Sequence, residues 1–544
     1  MGQNSENELE DFCDCFSKDA IDTLLDDIQQ SKPKKKKNKE KLIPFHITKE
    51  SEEVICDTSH LPKMPKHLAK LCAIIERKYP HLRKTCIIAL VLLKVMQMFS
   101  SKRIQYLEQS KIGLANIFVL LLIPSGAGKD RLSDELDTYV FYLFIEWFQD
   151  CLKSYKEDFE AKIREEANRE YPDENDVSKR EKFVKEKMKE FRTLVREITD
   201  ATKEGFYEDA KSFMNSFFGS LMLKFSEAGL YLKNLNFEQR QYINLIFEAY
   251  SGKIHSKCIK GASRQKCIEG LPVNVLMFSD PTLFKGQQLK EFFENLLEVG
   301  LSRRFIITFM NDTKLPDMEK DPKKAFEEEK KYYADLKCIG LKLFTIFVEI
   351  EENEDDENPT YKLTEKTYVD VFYPYKINLQ KLANNEENSS LKKEIISREL
   401  KALKIATLYA SINHNNKFTI DPEDMEMAID TVETLSKDFK KFLNYRPSKN
   451  DGYDELFSLF LDNLGVEFNK NTLVTKHYLL TGHSRKFFRD NFDDYIEILS
   501  EIAQERGYVL NQRPINNNSG CAYWLSTNTP ESLNNATVEL DDLL

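Results

Sequence analysis

The stretch "NIFVLLLIPSGAGKDRLSDELD", Asn116 to Asp137, decides how the chain is read. Its first half is continuously apolar, as expected of a strand buried on both faces of a parallel sheet. A turn of small residues follows, with Gly126 and Gly128, then Lys129 and a helical pattern. Backbone N–H groups converging at a helix N-terminus, plus one mobile cation, are what a triphosphate needs. Pro124, Ser125, Gly126, Ala127, Gly128 and Lys129 supply both: the glycines allow close backbone approach, and the lysine reaches the β- and γ-phosphates. The next residue is Asp130, where such loops carry Ser or Thr to ligate Mg²⁺. A carboxylate there ligates Mg²⁺ directly or through water and caps backbone N–H groups, while adding negative charge beside the phosphates. The expectation is a variant ATP site with altered metal preference.

Composition bounds the rest. The chain has 544 residues, long enough for two to four domains, with 41% hydrophobic and 31% charged residues. A net charge of -11 excludes a protein that coats nucleic acid by bulk charge, so any DNA contact must be a local basic patch. The ten cysteines follow no framework, and no signal peptide is seen, so they are read as reduced thiols in a cytosol-like compartment. His255, Cys258 and Cys267 lack a fourth zinc ligand. The apolar run Cys86–Phe99 is too short for a membrane and contains Lys94, so it reads as a buried helix and no membrane contact is expected.

Residues 1–45 read as a tail: an acidic segment with Phe12, Phe16, Ile21, Leu24, Leu25 and Ile28 at helical spacing, then the basic run Lys34–Lys41. The first is a candidate docking helix for a replication partner. The second is a linker or a nuclear-import signal, which keeps a nuclear location open beside the cytoplasm of a host cell. Residues 46–110 are helical. Residues 111–315 form an α/β core interrupted by a charged helical hairpin at about 156–197. Further buried strands are expected in "GSLMLKFS", "VNVLMFS" and "RFIITFM". Residues 316–450 form a helical lid in which Asp421 caps and Pro422 begins a helix. Residues 451–527 run helix, helix, helix and two strands, the order of a winged helix, and 528–544 are an acidic tail ending "VELDDLL", read first as plain disorder and otherwise as a docking segment for a replication partner.

Hydrolysis needs a carboxylate at the end of a neighbouring strand to activate water. Glu227 in "LMLKFSEAG" fits, preceded by Ser226 where an Asp is usual. Asp130 and Ser226 thus read as exchanged metal-side positions. Ser279 and Asp280 stand where a polar sensor of the γ-phosphate belongs, and Arg303 and Arg304 follow it. In ring ATPases an arginine there reaches the neighbouring subunit's site and stabilises transition-state charge; the alternative is a pair of surface arginines capping a helix C-terminus. Arg398 or Lys404 is a candidate second sensor, with the solvated face of an amphipathic helix as the equal alternative. In the terminal module Lys476, His477, His483, Arg485, Lys486 and Arg489, with Arg513 near the hairpin, form a basic, aromatic-containing patch suited to DNA, although "DDYIEILSE" beside it is acidic.

The order "DATKEG", "GSLMLKFSEAG", "VNVLMFSDP" and "GLSRRF" resembles a phage and mobile-element family of primase-helicase ATPases, over about Pro62 to Leu435. The resemblance implies a P-loop NTPase core of the AAA+/RecA-like kind, ATP and Mg²⁺ as cofactors, a homo-oligomeric ring, and helicase or translocase action on single-stranded or origin DNA in replication. Asp130 and Ser226 depart from its pattern, and no primase module is visible. A DNA-binding initiator or assembly scaffold controlled by nucleotide, or a packaging ATPase, is the alternative.

Overall fold

The computed structural model describes residues 56–173, 175–199, 203–216, 218–226, 228, 237–254, 267–281, 297–311, 321–350, 358–414, 417–443, 453–481, 485–490, 492–515 and 521–527. They fall into two compact units, divided after residues 279, 299 and 442. Among the described residues no helix is long and apolar enough to cross a membrane.

The first unit starts with helices α1 (Lys66–Lys78) and α2 (Lys84–Ser100). Tyr79 to Arg83 separate them, and Pro80 ends the first, because proline removes an N–H and disfavours helix in the residue before it. α2 carries the apolar run expected to be buried, and it is buried from Thr85 to Ser100. Its Lys94 is 1% exposed, which is possible only because Asp137 (2.8 Å) and Glu197 (3.0 Å) surround the ammonium.

The hairpin β1 (Gln105–Glu108) and β2 (Lys111–Leu114) then leads into β3 (Phe118–Leu122), every residue of which is buried. Beyond it come α3 (Lys129–Glu135), α4 (Tyr142–Glu170), α5 (Val177–Lys187), the short strand β4 (Glu197–Ile198), α6 (Lys203–Asn215), β5 (Leu221–Phe225) and α7 (Phe237–Ala249). A small antiparallel pair, β6 (Lys253–Ile254) and β7 (Ile268–Glu269), precedes β8 (Val273–Ser279) and β9 (Phe305–Phe309). The charged hairpin is the second half of α4 against α5, closed by Ile163, Ala167 and Val184.

Five strands form one all-parallel sheet in the order β4-β5-β8-β3-β9. The class is therefore α/β. The four apolar runs are its four longer strands, three inner and β9 at one edge; β4 was not expected, since two residues carry no readable period. The amino end of β3 is pinned by side-chain amides. Asn116 Nδ2 donates to the Val273 carbonyl (2.7 Å), and the Ile117 N–H donates to Asn274 Oδ1 (3.0 Å).

The helical block consists of α8 (Pro322–Glu349), β10 (Thr360–Leu363), α9 (Tyr373–Asn384), α10 (Ser389–Asn413), β11 (Thr419–Ile420) and α11 (Pro422–Leu443). It belongs to the same compact unit as the parallel sheet, through Phe442. A second sheet, β11-β10-β1-β2, ties it to the early hairpin. The N-terminus of α11 is closed by Asp424, whose Oδ2 accepts from the Asp421 N–H (3.1 Å). Gly340 of α8 lies against the turn at Val140, where an added Cβ would stand 2.4 Å from a backbone carbonyl oxygen. Backbone cannot yield as a side chain can. Gly340→Ala is accordingly expected to destabilise this unit by about 1–3 kcal/mol, read as a lowered urea midpoint.

The second unit carries α12 (Tyr453–Asp462), β12 (Phe468–Asn469), α13 (Lys470–Thr481), α14 (Arg485–Asp490), α15 (Phe492–Glu505) and the hairpin β13 (Tyr508–Pro514) and β14 (Cys521–Thr527), with sheet order β12-β14-β13. Phe457, Phe460, Phe488, Phe492, Leu499 and Leu525 lie in its core.

Candidate functional site

The chain leaves β3 at its carboxyl end, where Leu122 pairs with Ser279 of β8 and Phe309 of β9. Ile123, where the phosphate-loop pattern has its first glycine, instead prolongs the strand: its N–H donates to the Ser279 carbonyl (2.9 Å). Gly126 (φ 84°) and Gly128 (φ 79°) are both left-handed, a conformation that costs little only without a Cβ. A Cβ built at Gly126 meets nothing within 4 Å, so the space over the turn is open. Gly128 is the N-cap of α3, and Ser125 and Gly126 are exposed.

Lys129 is 5% exposed, its ammonium 5.8 Å from the Phe278 ring centre on β8. The lysine thus runs inward along the loop, toward the β8 end. Asp130 lies in the first turn of α3 and is exposed. Ser279 is fully buried at the end of β8, and Asp280, next in the chain, is partly exposed. Ser226 follows β5 and is exposed at the same carboxyl edge. β8 lies between β5 and β3, so two strand spacings, about 10 Å, separate their ends. Glu227 lies outside the described residues.

The segment between α1 and α2 closes over this loop, a contact with no signal in the sequence beyond the helix break at Pro80. His81 Nε2 donates to the Ala127 carbonyl (3.1 Å), and the Tyr79 ring lies 3.6 Å from a Cβ built on Gly128. Arg83 Nη1 donates to the Phe309 carbonyl (2.9 Å) and stands 3.4 Å from Asp438 of α11. On the other side of α3, Glu135 accepts from Arg131 Nε (3.0 Å), Lys78 (3.3 Å) and the Tyr332 hydroxyl (3.1 Å), fixing the helix against α1 and α8.

The two arginines before β9 divide. Arg304 Nε donates to the Phe247 carbonyl (2.9 Å) and Nη1 to the Gly300 carbonyl (3.2 Å). Burial and the neighbouring Arg303 lower its pKa. Arg303 is exposed. Both precede Phe305, which pairs with Phe118, whereas the loop begins beyond Leu122. That is about 16–20 Å along the strand, further than the side chain extends.

The second-sensor reading is corrected for both of its residues. Arg398 is taken up by Glu394 (2.8 Å) and by Glu433 (2.8 Å) of α11, a link between helices. Lys404 lies at the amino end of β3, donating to Asn116 Oδ1 (2.5 Å) and the Tyr250 carbonyl (2.9 Å). Burial holds the Lys404 pKa well below the ordinary lysine value, with the Arg304 charge adding to the effect.

The terminal patch is also corrected. His477 is fully buried, stacked on Phe488 with ring centres 4.1 Å apart, and so faces the core rather than a ligand. Arg513 Nη2 donates to Glu467 (2.9 Å). Lys476, Arg485 and Arg489 are exposed; Arg485 lies over the Tyr478 ring (5.0 Å), and Lys486 is on the same short helix. His483 lies outside the described residues. α15, packed beside them, contains no Lys or Arg and five acidic residues, counted from its sequence FDDYIEILSEIAQE.

The cluster His414, Asp421 and Asp424 has ligand atoms within 4.8 Å of one another. Its groups are already engaged: Asn413 donates to Asp424 (2.8 Å), and Lys417 donates to Asp421 (2.5 Å). It is a helix cap with a histidine beside it. No protein-family model matches this chain, and no curated protein matches it.

A lysine whose folded-state pKa is depressed binds fewer protons folded than unfolded between that value and 10.5, so stability rises with pH through that window. Urea unfolding at pH 7 and pH 9.5 is therefore expected to show a stability increase that shrinks in Lys404→Met; an unchanged slope would show that Lys404 is not buried neutral.

Proposed function

We propose that the chain is an ATP-binding and ATP-hydrolysing protein of the P-loop NTPase kind, working as a homo-oligomeric ring on DNA during replication. The observation that carries the reading is the join of β3, the two left-handed glycines and the buried Lys129 at the carboxyl edge of a parallel sheet. In open α/β sheets ligands bind outside the carboxyl ends, where strand order reverses. β3 is at such a place: the chain goes from it to the far strand β4, returns through β5 and β8, and ends on its other side as β9.

The residues fit a nucleotide. Open space over Gly126 admits a phosphate, the Gly128–Asp130 N–H groups begin a helix, and Lys129 supplies the cation. Asp130 and Ser226 would hold Mg²⁺, Ser279 and Asp280 would sense the γ-phosphate, and Glu227 would orient water. Mg²⁺-ATP supplies a phosphoanhydride whose hydrolysis needs charge stabilisation more than covalent catalysis. Of the arginine pair, Arg303 is the candidate to act on a neighbouring subunit, because Arg304 is bound to two backbone carbonyls. Such a role explains why an exposed arginine stands at the amino end, away from its own loop.

The element order and sheet order of the terminal unit support a winged helix. Its DNA face is α13 and α14 with Lys476, Arg485, Lys486 and Arg489; acidic α15 would repel phosphates. The second reading is a nucleotide-controlled initiator or scaffold with weak turnover, favoured by the extra charge of Asp130.

Lys129→Ala is expected to weaken ATP binding at least tenfold, by equilibrium titration. Arg303→Ala should retain binding and lose about 10³–10⁵ in turnover, while Arg303→Ala mixed with Lys129→Ala should regain part of it. Full turnover in Arg303→Ala alone would remove the trans-acting arginine. Nucleotide-dependent assembly without turnover, in the wild type, would leave only the scaffold.

A further inference from the structure

Arg83 is an arginine anchored by one nitrogen. Nη1 donates to the Phe309 carbonyl (2.9 Å) and lies 3.4 Å from Asp438 Oδ1. Nε and Nη2 make no hydrogen bond with the described residues, and the side chain is 34% exposed. A guanidinium has five N–H donors in a rigid fork suited to phosphate oxygens. Among the described residues most of that fork has no partner.

Its position is defined by three contacts. Phe309 pairs with Leu122, and the following Met310 N–H donates to the Leu122 carbonyl (2.9 Å), so Phe309 marks the point where the chain enters the loop. Two residues before Arg83, His81 touches Ala127 inside the loop. Two residues span at most about 7 Å. The arginine is thus tied to the rim of the loop from both sides.

Asp438 is the second element. It is 1% exposed, and its Oδ2 accepts from the Thr85 hydroxyl and from the Phe309 N–H (3.3 Å). Its Oδ1 accepts no hydrogen bond from the described residues. A buried carboxylate with an unfilled oxygen is expensive to keep ionised unless a cation stands close. Arg83 is the nearer of the two basic groups beside it, Lys441 being 3.8 Å away and half exposed. The carboxylate therefore holds the guanidinium at the end of β9.

We propose that Arg83 binds the terminal phosphate of the triphosphate held by the 124–129 loop, as a ligand from the same chain, and that Asp438 is its positioning residue. The inference rests on the nucleotide reading above and adds to it the group that tells triphosphate from diphosphate.

The test is equilibrium titration of the full chain with fluorescent ADP and with a fluorescent, slowly hydrolysed ATP analogue. The wild type, Arg83→Ala, Arg83→Lys, Asp438→Asn and Lys129→Ala are compared, with thermal melts to exclude unfolded variants. Lys129→Ala should weaken both ligands. Arg83→Ala should weaken the triphosphate about tenfold or more and the diphosphate little. Arg83→Lys should recover part of the difference, and Asp438→Asn should lower the triphosphate-to-diphosphate ratio without abolishing binding of either. If the wild type binds neither ligand, or Lys129→Ala binds both normally, the nucleotide reading fails and this inference with it. If Lys129→Ala loses both while Arg83→Ala keeps the wild-type ratio, only the arginine proposal is overturned.

Discussion

The burial of β3 on both faces and along both edges sets the terms for the rest of the molecule. A strand between two parallel neighbours has all its backbone groups engaged and all its side chains in the core, so no chemistry can be carried along its length. Chemistry is left to the two ends, and they are treated differently. At the amino end, the Asn116 and Asn274 amides and the Lys404 amine meet the groups the ladder does not. At the carboxyl end the chain enters a turn with two left-handed glycines and open space above it. One end is locked, and the other is available.

Buried charge then determines which peripheral elements are held to this sheet. Lys94 fastens α2 to Asp137 and to the edge strand β4. Lys401 and Glu394, both 4% exposed and 3.3 Å apart, fasten α10 near the Ser302 carbonyl before β9. Asp438 does the same for α11 at the opposite end of β9. Such pairs add little net stability, since desolvation offsets the attraction. Their effect is on specificity: a shift of any of these helices by one turn would leave an uncompensated charge in the interior. The helical block is thereby registered on the parallel sheet at both of its ends.

Much of this was legible in the sequence, and the divisions follow physical lines. Continuous apolar runs such as "NIFVLLLI" and "VNVLMFS" announced buried strands because burial on both faces needs them. The glycine and lysine pattern announced the loop, since few turns require two left-handed positions before a helix. Strands of two residues, β4 and β11, have no period to read. Side-chain partners were the least legible. His477 resembled its basic neighbours, yet its place on α13 faces the core. Arg398 sits four residues after Glu394, a spacing that signals a helix pair and was outweighed by the sensor reading. Arg303 and Arg304 are equivalent in sequence; only the carbonyls of Phe247 and Gly300, distant and local, separate them.

The same geometry bears on what a nucleotide site here would require. Among the described residues the loop edge carries Lys129 and Arg83 as cations, while Asp130, Ser226 and Ser279 lie along the carboxyl ends of the central strands. Arg303 lies at the other edge of the same sheet, beyond its own reach of the loop. A single chain thus holds Lys129 and Arg83 at one edge and a solvent-facing arginine at the other. Stacking subunits so that one edge faces the next subunit's opposite edge is a heterologous contact, which closes into a ring when the rotation permits. On the proposed reading, oligomerisation completes the site, and the charge added by Asp130 makes an arginine from outside more necessary than in a loop carrying a neutral hydroxyl.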